Sequence, residues 1–274
     1  MKNESDNISK EYSKAISSEA NTIVSKTGNA KFANYSQDEL AKLPEDIQEL
    51  SFGCGNPLAF SDVKPGEIVL DLGCGAGLDL LIASEKVGET GRVIGVDFNE
   101  DMLSLAKQRI RDYRNIELRK GRIEDLPVES NSVDWVISNC VINLSDEKQS
   151  AFNEIARVMK PSGKMLVSDI VAENLPWWVR HSGVLKAACG GGVISERQYL
   201  AGLNKAGLQN SKIVARQYYD PNQLASIVSE AAPIVIRKLR CCGKQILHSV
   251  LTRLALPISR NLWSAKISAT ASKI

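Results

Sequence analysis

The sequence is short of several things. Its 274 residues include two histidines, His181 and His248, and few aromatics: five Phe, four Trp and six Tyr. It has no run of about 18 apolar residues, which excludes a conventional membrane-spanning helix. Its polar start, Met1-Lys2-Asn3-Glu4-Ser5-Asp6, lacks the apolar stretch of a signal peptide, so the expected location is the cytoplasm. No charge sign dominates, with 34 Lys and Arg against 32 Asp and Glu. That balance, and the absence of aromatics interleaved with the basic residues, argue against nucleic-acid binding. The six cysteines (54, 74, 140, 189, 241, 242) lie too far apart for a zinc framework, apart from the adjacent Cys241-Cys242 pair, and in the cytosol they are expected to be thiols. There is no internal repeat. What remains, 43% hydrophobic and 24% charged residues, is enough for a large core without metals or disulfides.

The near-neutral total hides an asymmetry. Residues 221–274 carry eight Lys or Arg and one Asp or Glu, leaving 26 basic and 31 acidic residues in 1–220. Residues 1–30 are polar and without a clear period. Ser36-Gln37-Asp38-Glu39 reads as a capping box opening a short helix to about residue 49. From residue 67, β-rich runs at 68–72, 92–97, 116–119, 133–138 and 164–170 alternate with helical patterns at 78–87, 101–113 and 147–159. Such alternation predicts an α/β fold with a doubly wound, mostly parallel sheet. Past residue 170 the rhythm breaks into an insertion holding Trp177-Trp178 and Cys189-Gly190-Gly191-Gly192, then a helix from Ser195 to about Gly207 and a late strand near 212–218. The expected organisation is an N-terminal arm and substrate lid over 1–60, a cofactor-binding core over 61–172, a substrate-binding insertion and end of sheet over 173–220, and a basic C-terminal helical extension over 221–274.

The strongest local signal is Asp71-Leu72-Gly73-Cys74-Gly75-Ala76-Gly77, with Asp97 at the end of the next strand. Glycines after a strand let the backbone approach a ligand, and an acid at the tip of the second strand can accept from ribose hydroxyls, so a nucleoside cofactor is expected. The Gly-x-Gly-x-Gly spacing and the acid inside the strand depart from a dinucleotide fingerprint. They resemble motif I of class I S-adenosylmethionine methyltransferases, a Rossmann-like family. The resemblance implies that Asp71, Gly73, Gly75 and Gly77 surround the methionine moiety and that Asp97 takes the ribose. It further implies Phe98, Met102, Ile123 and Glu124 around the adenine, and Asn139 beside the cofactor. Each of these alone is equally a core residue.

Cys140 follows the fourth predicted strand, in Ser138-Asn139-Cys140-Val141-Ile142-Asn143-Leu144, where an open parallel sheet presents its ligand. Cys189 and Cys54 sit in glycine-flanked stretches, and each thiol taken singly is as readily a buried hydrophobe. Together, Gly53-Cys54-Gly55-Asn56-Pro57, the Cys140 turn and the Cys189 glycines resemble the arsenite methyltransferases over roughly residues 35–218. The resemblance implies that Cys54, Cys140 and Cys189 bind As(III), the substrate, with glutathione or thioredoxin as thiol reductant. Trivalent arsenic is soft and suits thiolates. Its lone pair needs no general base, consistent with the scarcity of histidine.

Two features depart from that family's pattern. Residues 1–53 hold no cysteine to pair with Cys54 in a reductive step, and Cys241-Cys242 are either a resolving pair or incidental thiols. The basic residues near the C-terminus are interleaved with apolar ones, a pattern that suits docking on the acidic body better than contact with an acidic membrane surface. Three functional readings stand open from the sequence: an arsenite methyltransferase, a methyltransferase for another small molecule such as a quinone or amine with structural cysteines, and a noncatalytic thiol module.

Overall fold

In the computed structural model, residues 55–174, 192–218 and 261–272 are described. One seven-stranded sheet organises them: β1 (Ile68–Leu72), β2 (Arg92–Asp97), β3 (Ile116–Lys120), β4 (Val133–Asn139), β5 (Met159–Ala172), β6 (Gln209–Tyr218) and β7 (Leu262–Thr270), in the order β3-β2-β1-β4-β5-β7-β6. The first five run parallel and β7 is antiparallel to both neighbours. β1 and β2 read as near-continuous buried runs because helices cover both faces of a parallel sheet, whereas the edge strand β6 alternates exposed and half-buried positions.

Four helices lie on the sheet: α1 (Leu78–Val87), α2 (Glu100–Arg109), α3 (Lys148–Val158) and α4 (Glu196–Lys205). On α3, Ala151, Phe152, Ile155 and Val158 form one buried stripe. α4 starts with a capping box in which Ser195 Oγ accepts from Gln198 N and the Gln198 side chain accepts from Ser195 N. Phe152 and Tyr199 join α3 to α4 with ring centroids 5.1 Å apart. One core packs beneath α3 and α4, and a second, including Leu58, Leu80, Ile137 and Leu166, lies on the face that α1 covers.

The strand and helix expectations from residue 67 onward agree with these elements to within a few residues, β5 excepted, which begins at Met159. The basic helical extension is corrected at its end. Leu262–Thr270 is a strand inserted between β5 and β6. Trp263, Ala265, Ile267 and Ala269 alternate into the core beneath α3 and α4, a period-2 pattern that the surrounding positive charge obscured. The predicted helix at 36–49, the Trp177-Trp178 pair and residues 221–260 lie outside the described residues.

Candidate active site

β1 and β4 are neighbours in the sheet although β2 and β3 separate them in sequence: β2 and β3 lie to one side of the pair and β5, β7 and β6 to the other, so the strand order reverses between them. A crevice opens at such a point beyond the carboxyl ends of the strands. Into it projects the loop after β1, where Gly73, Gly75 and Gly77 all have positive φ, at 67°, 51° and 96°. Gly73 N and Cys74 N both donate to Val96 O, at 2.7 and 3.1 Å, tying the loop to β2. A Cβ at Gly73 would collide with the Val141 side chain, so only glycine lets this loop press on the turn after β4. A Cβ at Gly75 would meet nothing closer than Gly73 O at 4.0 Å, which leaves that side of the loop open to a ligand.

Three carboxyl groups gather here. Asp97 Oδ2 accepts from Gly75 N and Oδ1 from Asn99 N, each at 2.9 Å, and each oxygen retains a lone pair. Burial holds its carboxyl above the usual range, partly offset by these donors. Asp71, 2% exposed, receives no hydrogen bond among the described residues. Its carboxyl is pushed well up by burial, then by the charges of Asp79 and Asp97. A crevice with one buried, unpaired carboxyl beside two others favours a cationic ligand. The described residues contain no group of His, Cys, Asp and Glu arranged to hold a metal ion.

The neighbouring segment closes one end of the crevice. Arg122 lies over the half-buried Phe98 ring, 6.0 Å from its centroid, and pairs with Glu124 at 3.3 Å. Glu124 also accepts from Ser145 Oγ. Met102 and Ile123 are buried. Asn139 joins the segment before β1 to the crevice: its amide accepts from Gly55 N at 3.1 Å and donates to Gly55 O at 2.5 Å and Asp79 Oδ2 at 3.2 Å.

Cys140 is buried, takes a left-handed conformation with φ 61°, and donates its N–H to Ser168 O at 2.8 Å. It is disulfide-bonded, which corrects the expectation of a free thiol at this position; the partner lies outside the described residues. A redox argument from compartment describes a protein at equilibrium with its thiol pool, and two cysteines held together by a fold can still pair. Cys54 and Cys189 lie outside the described residues, but Gly55 and Gly192 do not. A Cβ at Gly55 would collide with Ser168 Oγ, and one at Gly192 with Asn143 O. Cys74 is free and buried against Gly95, its thiol pushed well up by burial, so it packs.

Residues that sequence reasoning overlooked surround the Cys140 turn. Asp79 stands in the first turn of α1, Lys266 is buried on β7 in register with Ser168, and Asn143, Lys148, Asp169 and Tyr199 form a polar group under the turn. A signal existed for both: Asp169 is the one charge in the run 165–172, and Lys266 interrupts an otherwise apolar and small-residue strand.

The family profile described as a methyltransferase domain matches residues 63–217. The arsenite methyltransferase of Halobacterium salinarum is 48% identical over 139 residues, covering 50% of this chain and 35% of that protein. The arsenite methyltransferase of Mus musculus is 35% identical over 173 residues, covering 59% and 46%. The crystal structure of CrArsM, an arsenic(III) S-adenosylmethionine methyltransferase from Chlamydomonas reinhardtii, superposes with a TM-score of 0.65 at 28% identity, covering 87% of this chain and 73% of that one. The chain spans less than half the length of these two curated relatives.

Proposed function

Because this chain belongs to the methyltransferase domain family, we propose that it transfers a methyl group from S-adenosylmethionine to thiol-bound trivalent arsenic. The observation that carries the reading is the contact between Gly73 and Val141: the glycine loop presses on the turn that bears a cysteine. A thiol there has little use in methylating carbon, nitrogen or oxygen. The relatives of Halobacterium and mouse are arsenite methyltransferases, and CrArsM is an arsenic(III) S-adenosylmethionine methyltransferase.

The crevice suits the donor. When bound, S-adenosylmethionine supplies an electrophilic methyl on a sulfonium. Asp71, buried and without a hydrogen bond among the described residues, would face its ammonium, and the spare lone pairs of Asp97 would accept from the ribose hydroxyls. Phe98, Met102, Ile123 and Glu124 would border the adenine. Gly73, Gly75 and Gly77 would let the backbone close on the ligand.

For arsenic, Cys140 supplies one thiol, and Cys54 and Cys189 are the other two we assign. Cys54 precedes Gly55, which is bonded to Asn139, and Cys140 follows that same residue. Cys189 is three residues before Gly192, a stretch that spans about 11 Å at most. Three thiols would displace three hydroxides as water, leaving a lone pair on arsenic. That pair forms the new As–C bond as the methyl–sulfur bond breaks. Arsenic goes from the trivalent to the pentavalent state, and S-adenosylhomocysteine leaves. Holding the reacting atoms in line can lower the barrier by roughly 7–11 kcal/mol. A thiol reductant such as glutathione or thioredoxin would then return arsenic to the trivalent state, and would also be needed to open the disulfide at Cys140 before arsenic can bind. A cytoplasmic location fits this need for thiols.

The test is direct. Purified protein is incubated with S-adenosylmethionine, arsenite and glutathione, and methylated arsenicals and S-adenosylhomocysteine are quantified. Both products should form, and Cys140→Ser and Cys189→Ser should abolish them. Turnover on a quinone or amine that survives Cys140→Ser would overturn the reading, and arsenite binding without S-adenosylhomocysteine would reduce it to a thiol module.

A further inference from the structure

Beneath the Cys140 turn lies a buried polar group that the methyl-transfer reading does not use. Asn143 Nδ2 donates to Asp169 Oδ1 at 2.8 Å and to Ile170 O at 2.6 Å. Tyr199 Oη, from α4, donates to Asp169 Oδ2 at 3.3 Å. Lys148 Nζ, from α3, donates to Asn143 O at 3.3 Å and Ser145 O at 2.7 Å. Asn143, Asp169 and Tyr199 are each at most 2% exposed. Asn143 therefore has its side chain held from β5 and its carbonyl held from α3.

The orientation of Asn143 is informative. Its Oδ1 is a fully buried side-chain oxygen that lacks a hydrogen-bond partner among the described residues. Its N–H groups face two acceptors, Asp169 Oδ1 and Ile170 O, so turning the amide would set oxygen against oxygen, and Oδ1 stays bare. Asp169, with Ile170 O, thus fixes which way the amide points. Gly192 rests on the same spot, with no room for a Cβ between it and Asn143 O. The chain three residues after Cys140 and the chain three residues after Cys189 consequently meet on Asn143.

We propose that Asp169 is a positioning residue for arsenic binding: through Asn143 and Tyr199 it locks the turn that carries Cys140 against the chain returning at Gly192. It touches neither the reacting atoms nor the cofactor crevice. The proposal rests on the arsenic reading above and adds a residue to it. Losing the lock frees the turn, so the thiols no longer converge without an entropic penalty, and arsenite affinity falls further than that of the cofactor, whose crevice meets this turn only at its edge, through Val141 and Ser145.

The experiment uses the full chain, reduced beforehand with a phosphine, as wild type, Asp169→Ala, Asp169→Asn and Tyr199→Phe. Arsenite affinity is measured by equilibrium dialysis, S-adenosylmethionine affinity by calorimetry, and folding by thermal melting. Asp169→Ala should weaken arsenite binding at least tenfold and leave S-adenosylmethionine affinity within twofold. Asp169→Asn, which keeps one acceptor for Asn143, should recover part of the loss, and Tyr199→Phe should weaken arsenite binding severalfold. If Asp169→Ala does not fold, the other two variants decide. Folded variants that bind arsenite within twofold of wild type would overturn the proposal, as would parallel weakening of both ligands, the mark of a general loss of structure. Failure of the wild type to bind arsenite would instead overturn the functional reading, and this inference with it.

Discussion

Gly55 and Asn139 exchange two hydrogen bonds: the amide oxygen of Asn139 accepts from Gly55 N, and its nitrogen donates to Gly55 O. Two segments 84 residues apart are thereby fastened by one side chain, each adjacent in sequence to a cysteine. A side chain pairing with a backbone N–H and C=O of one residue imitates a strand partner, and it fixes both separation and orientation.

That clasp should be sensitive to a single methyl group. Gly55→Ala places a Cβ against Ser168 Oγ, and overpacking of this kind costs about 1–3 kcal/mol. The melting temperature should fall by several degrees, and arsenite uptake in dialysis should fall further than the S-adenosylmethionine affinity does.

In the acid range, cofactor binding should release protons. Burial, Asp79 and Asp97 hold the Asp71 carboxyl well above its usual range, and a cationic ligand would draw it back down. Affinity should therefore rise with pH through the acid range. Calorimetry in the acid range, in buffers of different ionisation enthalpy, should report more proton release for wild type than for Asp71→Asn, which should bind more weakly by on the order of 1.5–3 kcal/mol, the worth of a hydrogen bond to a charged group.

Asp169 should make stability depend on pH. Burial raises its carboxyl to about 7, with Lys148, Ile170 N, Tyr199 and the Asn143 contact opposing the rise. Below about pH 4 the group is protonated in both folded and unfolded chains. Between about 4 and 7 the unfolded chain has released the proton that the folded one keeps, so stability falls as pH rises and levels off above 7. The contribution amounts to at most about 4 kcal/mol. Denaturant titrations at pH 5 and pH 8 should show a larger drop for wild type than for Asp169→Asn.

β7 should be indispensable to the sheet. Ile267 is fully buried in the core beneath α3 and α4, and Ile267→Ala should cost about 2–5 kcal/mol, read from chemical denaturation. A solvated helix on the surface would tolerate the change within about 0.5 kcal/mol.

Much of this was legible in advance. Ile68–Leu72 and Leu78–Val87 match their sequence-based ranges because each is a mainly apolar segment bounded by glycines or turn residues. Asp71, Gly73 and Asp97 were readable because their spacing expresses a local geometry, a strand, a tight turn and the next strand tip. Asn143, Lys148 and Tyr199 were not, because their partnership with Asp169 joins three elements and no local pattern encodes it. The clasp at Gly55 was invisible for the same reason. β7 was hidden by a count: eight basic residues over 221–274 describe a region, and Lys266, one of the eight, is buried in the sheet.

The late position of β7 has a consequence for biogenesis. Residues 219–261 separate it from β6, yet it fills the slot between β5 and β6. While the ribosome is still making that stretch, the flank of β5 and the whole of β6 lack their neighbour, and their unmet amide and carbonyl groups invite other polypeptides. Nascent molecules should therefore be prone to clumping until translation passes residue 270, and slower elongation across 219–261 would lengthen that vulnerable interval.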